Sequence, residues 1–401
     1  MPSNSEPQGI AAGAWLRLTA IAAVGATLLA VVSGAAGLDA AHRLLAALAM
    51  PPLVAILVAA VVAHRRLIAP AVVALALFGA AALLTAHVQH VIAASLAFAA
   101  TVVVAALTFR GAPVPRGSAR DYLALTKPRI MSLLLLTGVC GMFVGARGVP
   151  EPWLIAVTML GLALACGGAS ALNHVLDRDI DRLMGERTRA RPVAADRMPP
   201  SSALEFGLAL SAFSFVLLAS AVNVLTASLA LVGNLFYVLV YTRWLKRSTT
   251  QNIVIGGAAG AVPPLVGWAA ATGSLALPAL WLFLIVFFWT PPHFWALALL
   301  IKENYAAARI PMLPVVRGVR ATTRQIVAYS LVLVAVTIVP FALGTFGIAY
   351  LIAALLLGAA FLWLALVLWR TRSRRRASLL FHYSLLYLAL LFVAMALSAI
   401  T

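Results

Sequence analysis

The sequence predicts an all-α fold: a polytopic membrane helix bundle with four transmembrane helices, a polar break, and nine more helices. Two observations predict it. The 401-residue chain is 64% hydrophobic and 10% charged, with a mean hydropathy of +1.04. A soluble domain of that composition has too little polar surface to face water. The second observation is where the charge lies. The formal net charge is +18, yet Arg and Lys fall in short loops between apolar spans, which is membrane topology and not polyanion binding. No nucleic-acid partner is implied. Cys140 and Cys166 both lie inside apolar spans, which argues against a disulfide framework or a thiolate metal site.

A bilayer-crossing helix needs about 20 apolar residues. Four spans of that kind precede residue 112, at about 15–36, 42–63, 67–86 and 90–109. The polar N-terminus runs through Gln8, and the apolar run after Trp15 is too long for a signal peptide, so it reads as a retained helix. Residues 112–128, with Pro113, Pro115 and Gly117, read as a cytoplasmic linker between an extension at 1–111 and a nine-helix domain at 129–401. The nine later spans lie near 129–146, 152–175, 203–221, 224–242, 252–271, 276–299, 326–345, 347–369 and 379–399. Basic loops at His64–Arg66, Arg110–Arg129, Arg178–Arg197, Arg243–Arg247, Lys302–Arg324 and Arg370–Arg376 alternate with loops nearly free of Lys and Arg. The alternation places the basic loops and the N-terminus in the cytoplasm, and the whole chain in the cell membrane as a multi-pass protein.

Acidic residues are scarce, yet three of the eleven fall between Asn173 and Asp181. Asn173, Asp177 and Asp181 are spaced i, i+4, i+8 at the cytoplasmic end of a span, so they share one helix face over two turns. Oxygen ligands on one face suit Mg²⁺, which takes one or two carboxylates and completes its shell with phosphate oxygens. The basic run Arg187-Thr188-Arg189-Ala190-Arg191 follows and offers charge-assisted donors to an anion. The plain alternative is a helix end leaving the membrane with ordinary surface charges.

These residues belong to a longer set. It comprises Leu125-Thr126-Lys127-Pro128-Arg129, Asn173-x3-Asp177-x3-Asp181, Arg187-Thr188-x2-Arg191-Pro192, Tyr241-Thr242-x3-Lys246-Arg247 and the Gly256–Gly260 stretch. Pro291-Pro292-His293-Phe294-Trp295 and Ile310-Pro311-Met312-Leu313-Pro314 complete it. Together they resemble the UbiA superfamily of intramembrane prenyltransferases over roughly 120–401, and the His-Phe-Trp piece resembles its heme-farnesylating branch. The resemblance implies a nine-helix fold around a cavity capped by cytoplasmic loops. It implies Mg²⁺ as cofactor, and farnesyl diphosphate and heme b as substrates. Asn173, Asp177 and Asp181 would hold the metal and diphosphate. Lys127, Arg191, Lys246 and Arg247 would contact diphosphate, Tyr241 would donate a hydrogen bond, and His293 would orient heme or act as a base. Plain positive-inside topology is the other account of the basic residues, and backbone capping the other account of His293. The family pattern has Asp at position 304 and Gly at 309, where this chain has Asn304 and Arg309. Two rivals stay open: a UbiA-type enzyme acting on an aromatic quinone precursor or chlorophyllide, and a secondary transporter.

The first four spans exceed such a core. His42 and His90, with His87 one turn before, begin two of these spans at the same leaflet, where facing histidines suit a heme iron. Trp15–Thr19, Val32–Ala35 and Ala41–Ala46 resemble one half of the heme A synthases, which implies heme A synthase as a partner. The bland reading is a spacer bundle with interfacial histidines.

Overall fold

The computed structural model describes residues 7–35, 39–64, 67–83, 87–108 and 117–400. Residues 109–116, which include the first part of the expected linker at 112–128, and the side chain of His87 lie outside the described residues. Four long helices come first: α1 (Pro7–Ala35), α2 (Asp39–Ala63), α3 (Ile68–Leu83) and α4 (His87–Thr108). The helix α5 (Ala119–Thr126) leads into α6 (Pro128–Ala146) and α7 (Pro152–Leu176), and two short helices follow, α8 (Arg178–Leu183) and α9 (Glu186–Arg189). Then come α10 (Pro200–Ala221) and α11 (Val224–Leu235), which runs on through a π-helical segment (Phe236–Leu245) into α12 (Lys246–Ser248). The rest is α13 (Asn252–Thr272), α14 (Leu277–Leu300), α15 (Lys302–Ala307), α16 (Leu313–Val316), α17 (Gly318–Ala342), α18 (Ile348–Thr371) and α19 (Arg374–Ile400). Among the described residues, eleven helices are long and apolar enough to cross a membrane. The helix α3 has sixteen residues and rises about 24 Å, short of a roughly 30 Å hydrocarbon core.

Two helices run further into the basic-loop side than hydropathy alone indicates. The helix α17 starts at Gly318 and α19 at Arg374, because charged residues that leave the lipid remain good helix formers. The expected linker is also partly helical. Ser118 caps α5 in a capping box, its hydroxyl accepting from the Asp121 N–H while the Asp121 side chain binds back to the Ser118 N–H. Arg197 donates to the same Asp121 carboxylate at 2.9 Å, tying α5 to the loop before α10. This helix rests on α7, so the chain entering the core is a built element.

Packing inside the bundle depends on close backbone approach. A Cβ at Gly267 of α13 would lie 1.9 Å from the Gly138 carbonyl oxygen of α6, and one at Gly141 would lie 2.4 Å from the Pro264 oxygen. Large apolar side chains such as Trp153, Leu239, Leu356 and Trp363 face outward, as they must where lipid is the solvent. The N-terminal helices join the core through α4, which lies along α10; Phe98 of α4 packs in one cluster with Leu162 and Phe215.

Candidate active site

The site forms where α7 reaches its basic loop. Backbone hydrogen bonds run without a gap through that end: the Asp177 N–H donates to the Asn173 oxygen at 2.9 Å, and the Asp181 N–H to the Asp177 oxygen at 2.8 Å. The helical register therefore persists into α8, and the three spaced residues keep one face. That face points inward, with Asn173 3%, Asp177 0% and Asp181 1% exposed.

Each of the three meets one cation. The Lys127 Nζ donates to the Asn173 Oδ1 at 2.9 Å, the Lys246 Nζ to the Asp177 Oδ2 at 2.5 Å, and the Arg191 Nη1 to the Asp181 Oδ1 at 2.6 Å. The Asn173 Nδ2 donates to the Asp177 Oδ2 at 2.8 Å and to the Thr242 hydroxyl at 3.1 Å. The other oxygens, Asp177 Oδ1 and Asp181 Oδ2, are buried and have no hydrogen-bond partner. Buried carboxylate oxygens without a donor are costly, and two of them one helical turn apart fit a hard cation. Among the described residues no cluster of three His, Cys, Asp or Glu side chains forms. The metal chemistry available is therefore two carboxylates, the remaining lone pair of the Asn173 oxygen, and oxygens brought by a ligand, which suits Mg²⁺ with phosphate.

Local backbone explains how the cations get there. Lys127 lies in the left-handed region, with φ 51° and ψ 57°, between the end of α5 and Pro128 at the start of α6. That conformation costs a lysine roughly 1–2 kcal/mol, and here it turns the side chain toward Asn173. Burial, then the neighbouring Arg191 and Lys246 charges, bring the Lys127 pKa down to about 7. Burial pushes the Asp181 carboxyl up, against the pull of Arg191. Lys246 follows ten π-helical residues, a form that is rare and gathers at functional sites. The ring of Tyr241, on the same segment, stacks on Tyr237 at 5.6 Å. It leans on α13 at Gly256, where a Cβ would come within 2.3 Å of it.

One expectation needs correction. Arg247 does not join the central cluster. It forms a paired hydrogen bond with Asp179, both contacts at 2.7 Å, and donates to the Leu176 carbonyl. The reason is angular: Asp179 follows Asp177 by two residues and so lies on the opposite helix face. This contact holds the Asp179 carboxyl down to about 2. At the family's Asp position, the Asn304 Nδ2 donates to the Met184 carbonyl at 2.8 Å. That bond holds the turn at Gly185, whose φ is +93°, and Glu303 beside it is exposed.

His293 lies in α14, seven residues before its end, or about 10 Å deeper than Leu300. Its ring is sandwiched between Trp289 at 4.3 Å and Phe381 at 4.9 Å. Its Nδ1 is 2.6 Å from the Ser384 hydroxyl. Ser384 spends its own proton on the Phe381 carbonyl at 2.6 Å, so it accepts from the Nδ1–H of a neutral His293. The Nε2 then carries the free lone pair. Trp295 is buried with its ring edge-on to Tyr329 at 5.3 Å, as a packing residue; Phe294 is partly buried against the same core. Thr242 lies in the Tyr241-Thr242 motif without a role of its own assigned to it, and two neighbours carried no sequence signal: Tyr237, stacked on Tyr241, and His174, which is buried with both ring nitrogens unpartnered.

An acidic pair facing three cations at the rim of an apolar membrane bundle defines a class, the intramembrane enzymes that act on diphosphates. Comparison with known proteins narrows it. The UbiA prenyltransferase family model matches residues 134–397. Proteins named protoheme IX farnesyltransferase are 55% identical in Symbiobacterium thermophilum, over 69% of this chain and 93% of that protein, and 54% in Gloeobacter violaceus, over 72% and 95%. In Roseiflexus the identity is 54% over 69% of this chain, but the match spans only 52% of a longer protein. The chain belongs to the UbiA prenyltransferase family, on its protoheme IX farnesyltransferase branch. The fold is shared with solved structures at lower identity. A digeranylgeranylglyceryl phosphate synthase superposes with a TM-score of 0.59 at 18% identity, covering 70% of this chain and 98% of that one. A UbiA homologue from Archaeoglobus fulgidus, bound to GPP and Mg²⁺, gives 0.54 at 18% identity, covering 69% and 99%.

Proposed function

We propose that this enzyme transfers the farnesyl group of farnesyl diphosphate to a vinyl group of heme b, giving heme O and diphosphate. The observation that carries the reading is the pair of unpartnered buried oxygens, Asp177 Oδ1 and Asp181 Oδ2, set among Lys127, Lys246 and Arg191. The names of the relatives supply the acceptor. Asp177, Asp181 and Asn173 would hold Mg²⁺, in keeping with the GPP and Mg²⁺ bound by the Archaeoglobus homologue. When bound, Mg²⁺ neutralises the charge that develops on the departing diphosphate oxygens.

The chain's own residues do the rest. Two carboxylates against three cations leave the cluster positive, which draws the diphosphate in and stabilises it as the C1–O bond breaks. Lys127, Lys246 and Arg191 are the donors to its oxygens. Arg247 takes a supporting role: through Asp179 and Leu176 it fixes the end of α7 against α12. The apolar walls keep bulk water from the farnesyl carbocation until the vinyl carbon attacks C1. A single water then adds at the neighbouring carbon and loses a proton. His293, neutral with a free Nε2, is the acceptor for it.

The enzyme is a multi-pass protein of the cell membrane, with its N-terminus and aspartate site cytoplasmic, as the loop charges require. Heme A synthase is the partner this reading implies, as the consumer of the product. The test is expression in cells that make no heme O, followed by heme extraction and mass measurement. A heme heavier by one farnesyl group and one hydroxyl group supports the reading. A prenylated quinone precursor in place of heme O overturns the acceptor, and farnesyl diphosphate carried across the membrane intact overturns the enzyme.

A further inference from the structure

We propose that a cavity between the basic-loop ends of α13, α14 and α17 holds the phosphate of an anionic phospholipid. The cavity measures about 90 Å³ and is walled by Thr250, Gln251, Trp295, Arg317, Gln325 and Tyr329, among others. None of the aspartate-site residues lines it. It has the room of a few water molecules, enough for one phosphate group and too little for a prenyl chain or a porphyrin.

The wall is built of donors. Each of those six side chains offers an N–H or O–H, and no Asp or Glu stands among the lining residues. Arg317 is exposed, and among the described residues its guanidinium forms no ion pair. Trp295 is 2% exposed, and its indole Nε1–H has no hydrogen-bond partner. A buried donor left unpaired is costly, and the cavity beside it is where an acceptor fits.

Two helix amino ends converge on the same place. The helix α13 begins at Asn252, directly after Thr250 and Gln251, and α17 begins at Gly318, directly after Arg317; neither start has a side-chain cap. Uncapped N–H groups at the positive ends of two helix dipoles favour an anion there. Positive-inside topology accounts for Arg317 as a charge. It does not call for an orphan indole N–H or for two uncapped helix starts around one cavity.

Position selects a lipid over a soluble anion. Hydropathy alone starts the spans of α13 and α17 near 252 and 326, so Gln251 and Gln325 stand where the apolar chain meets the headgroup layer. One turn deeper than Gln251 comes exposed Ile255, and on the Gln325 face come exposed Ala328 and Val332. Acyl chains lie along those outward apolar faces while the phosphate enters between them. Arg320 and Arg324, both exposed, follow Arg317 along α17 and attract an anionic headgroup. A phosphate shared by Trp295 and Arg317 ties α14 to α17 at the membrane surface.

The experiment uses the full chain in a neutral detergent, read by native mass spectrometry. It is titrated with dioleoylphosphatidylglycerol, dioleoylphosphatidylcholine or inorganic phosphate. The expected result is one phosphatidylglycerol held at least about tenfold more tightly than phosphatidylcholine, whose choline cation opposes Arg317. Arg317→Gln and Trp295→Phe, which keeps a packing ring, should each weaken it about fivefold or more. Arg372→Gln, in the α18–α19 loop, should leave it unchanged. Equal affinity for the two lipids overturns the proposal, as does unchanged binding in Arg317→Gln. An equal loss in Arg372→Gln overturns it too, since that is attraction to diffuse surface charge. Displacement of the lipid by an equal concentration of inorganic phosphate identifies a soluble anion and overturns the lipid assignment.

Discussion

At the residue scale, two neighbouring aspartates separate chemistry from surface charge. Asp177 is buried with one oxygen unpartnered, whereas the Asp179 side chain is largely exposed and pairs with Arg247. Asp177→Ala is expected to lower turnover of farnesyl diphosphate at least about 100-fold, since it removes transition-state charge stabilisation. Asp179→Ala should cost less than about tenfold, as an exposed pair contributes little; single-turnover kinetics on membranes with equal protein content compares them. Lys127 gives a pH signature. Its pKa near 7 in the free protein rises when a diphosphate anion arrives, because the anion favours the charged form. Binding should take up close to one proton well above pH 7 and almost none well below it. Calorimetry in buffers of different ionisation enthalpy reads the difference. Ser384 fixes which His293 nitrogen is protonated. Ser384→Ala should reduce kcat more than it raises KM, and Ser384→Thr, which keeps the hydroxyl, should recover most of the loss.

At the element scale, the loop after α14 explains one odd residue. The helix α15 ends in a Schellman turn: the Arg309 N–H donates to the Ala306 oxygen and the Ile310 N–H to the Tyr305 oxygen. Arg309 therefore occupies the left-handed region, at φ 54°, where glycine is at ease and arginine is strained. Arg309→Gly is expected to stabilise the protein by about 0.5–1 kcal/mol, seen as a raised melting temperature in detergent. The Asn304 amide meets a related need nearby, as a donor to Met184 that an aspartate does not provide. The π-helical segment is the other element of note. It rotates Tyr241 onto Gly256 and delivers Lys246 to Asp177. A hydropathy profile sees only an uninterrupted apolar span there.

At the scale of the whole molecule, orientation is the property that ties the two ends together. If basic loops are cytoplasmic, a cysteine replacing Arg372 in the α18–α19 loop is shielded from a membrane-impermeant thiol reagent in intact cells. One replacing Gly344, between α17 and α18, reacts from outside. The native Cys140 and Cys166 are buried or half-buried in the helices and give little background. Reversed labelling would invert the assignment of both sites.

Much of this could be read along the chain because it depends on neighbours in sequence. Apolar span length, the alternation of loop charge, and the i, i+4, i+8 spacing of Asn173, Asp177 and Asp181 are one-dimensional, and folding preserves them. Pairings between distant segments are of another kind. Nothing local tells that Lys127 meets Asn173 across 46 positions, that Lys246 takes Asp177 while adjacent Arg247 takes Asp179, or that Ser384 sets the His293 tautomer across 91. Those choices depend on helix rotation and close backbone contact, which the glycines of α6 and α13 permit and no periodicity encodes. For the same reason, only the packed bundle brings His42 and His90 into edge-on contact, ring centroids 5.6 Å apart, each with its Nδ1 on a backbone carbonyl.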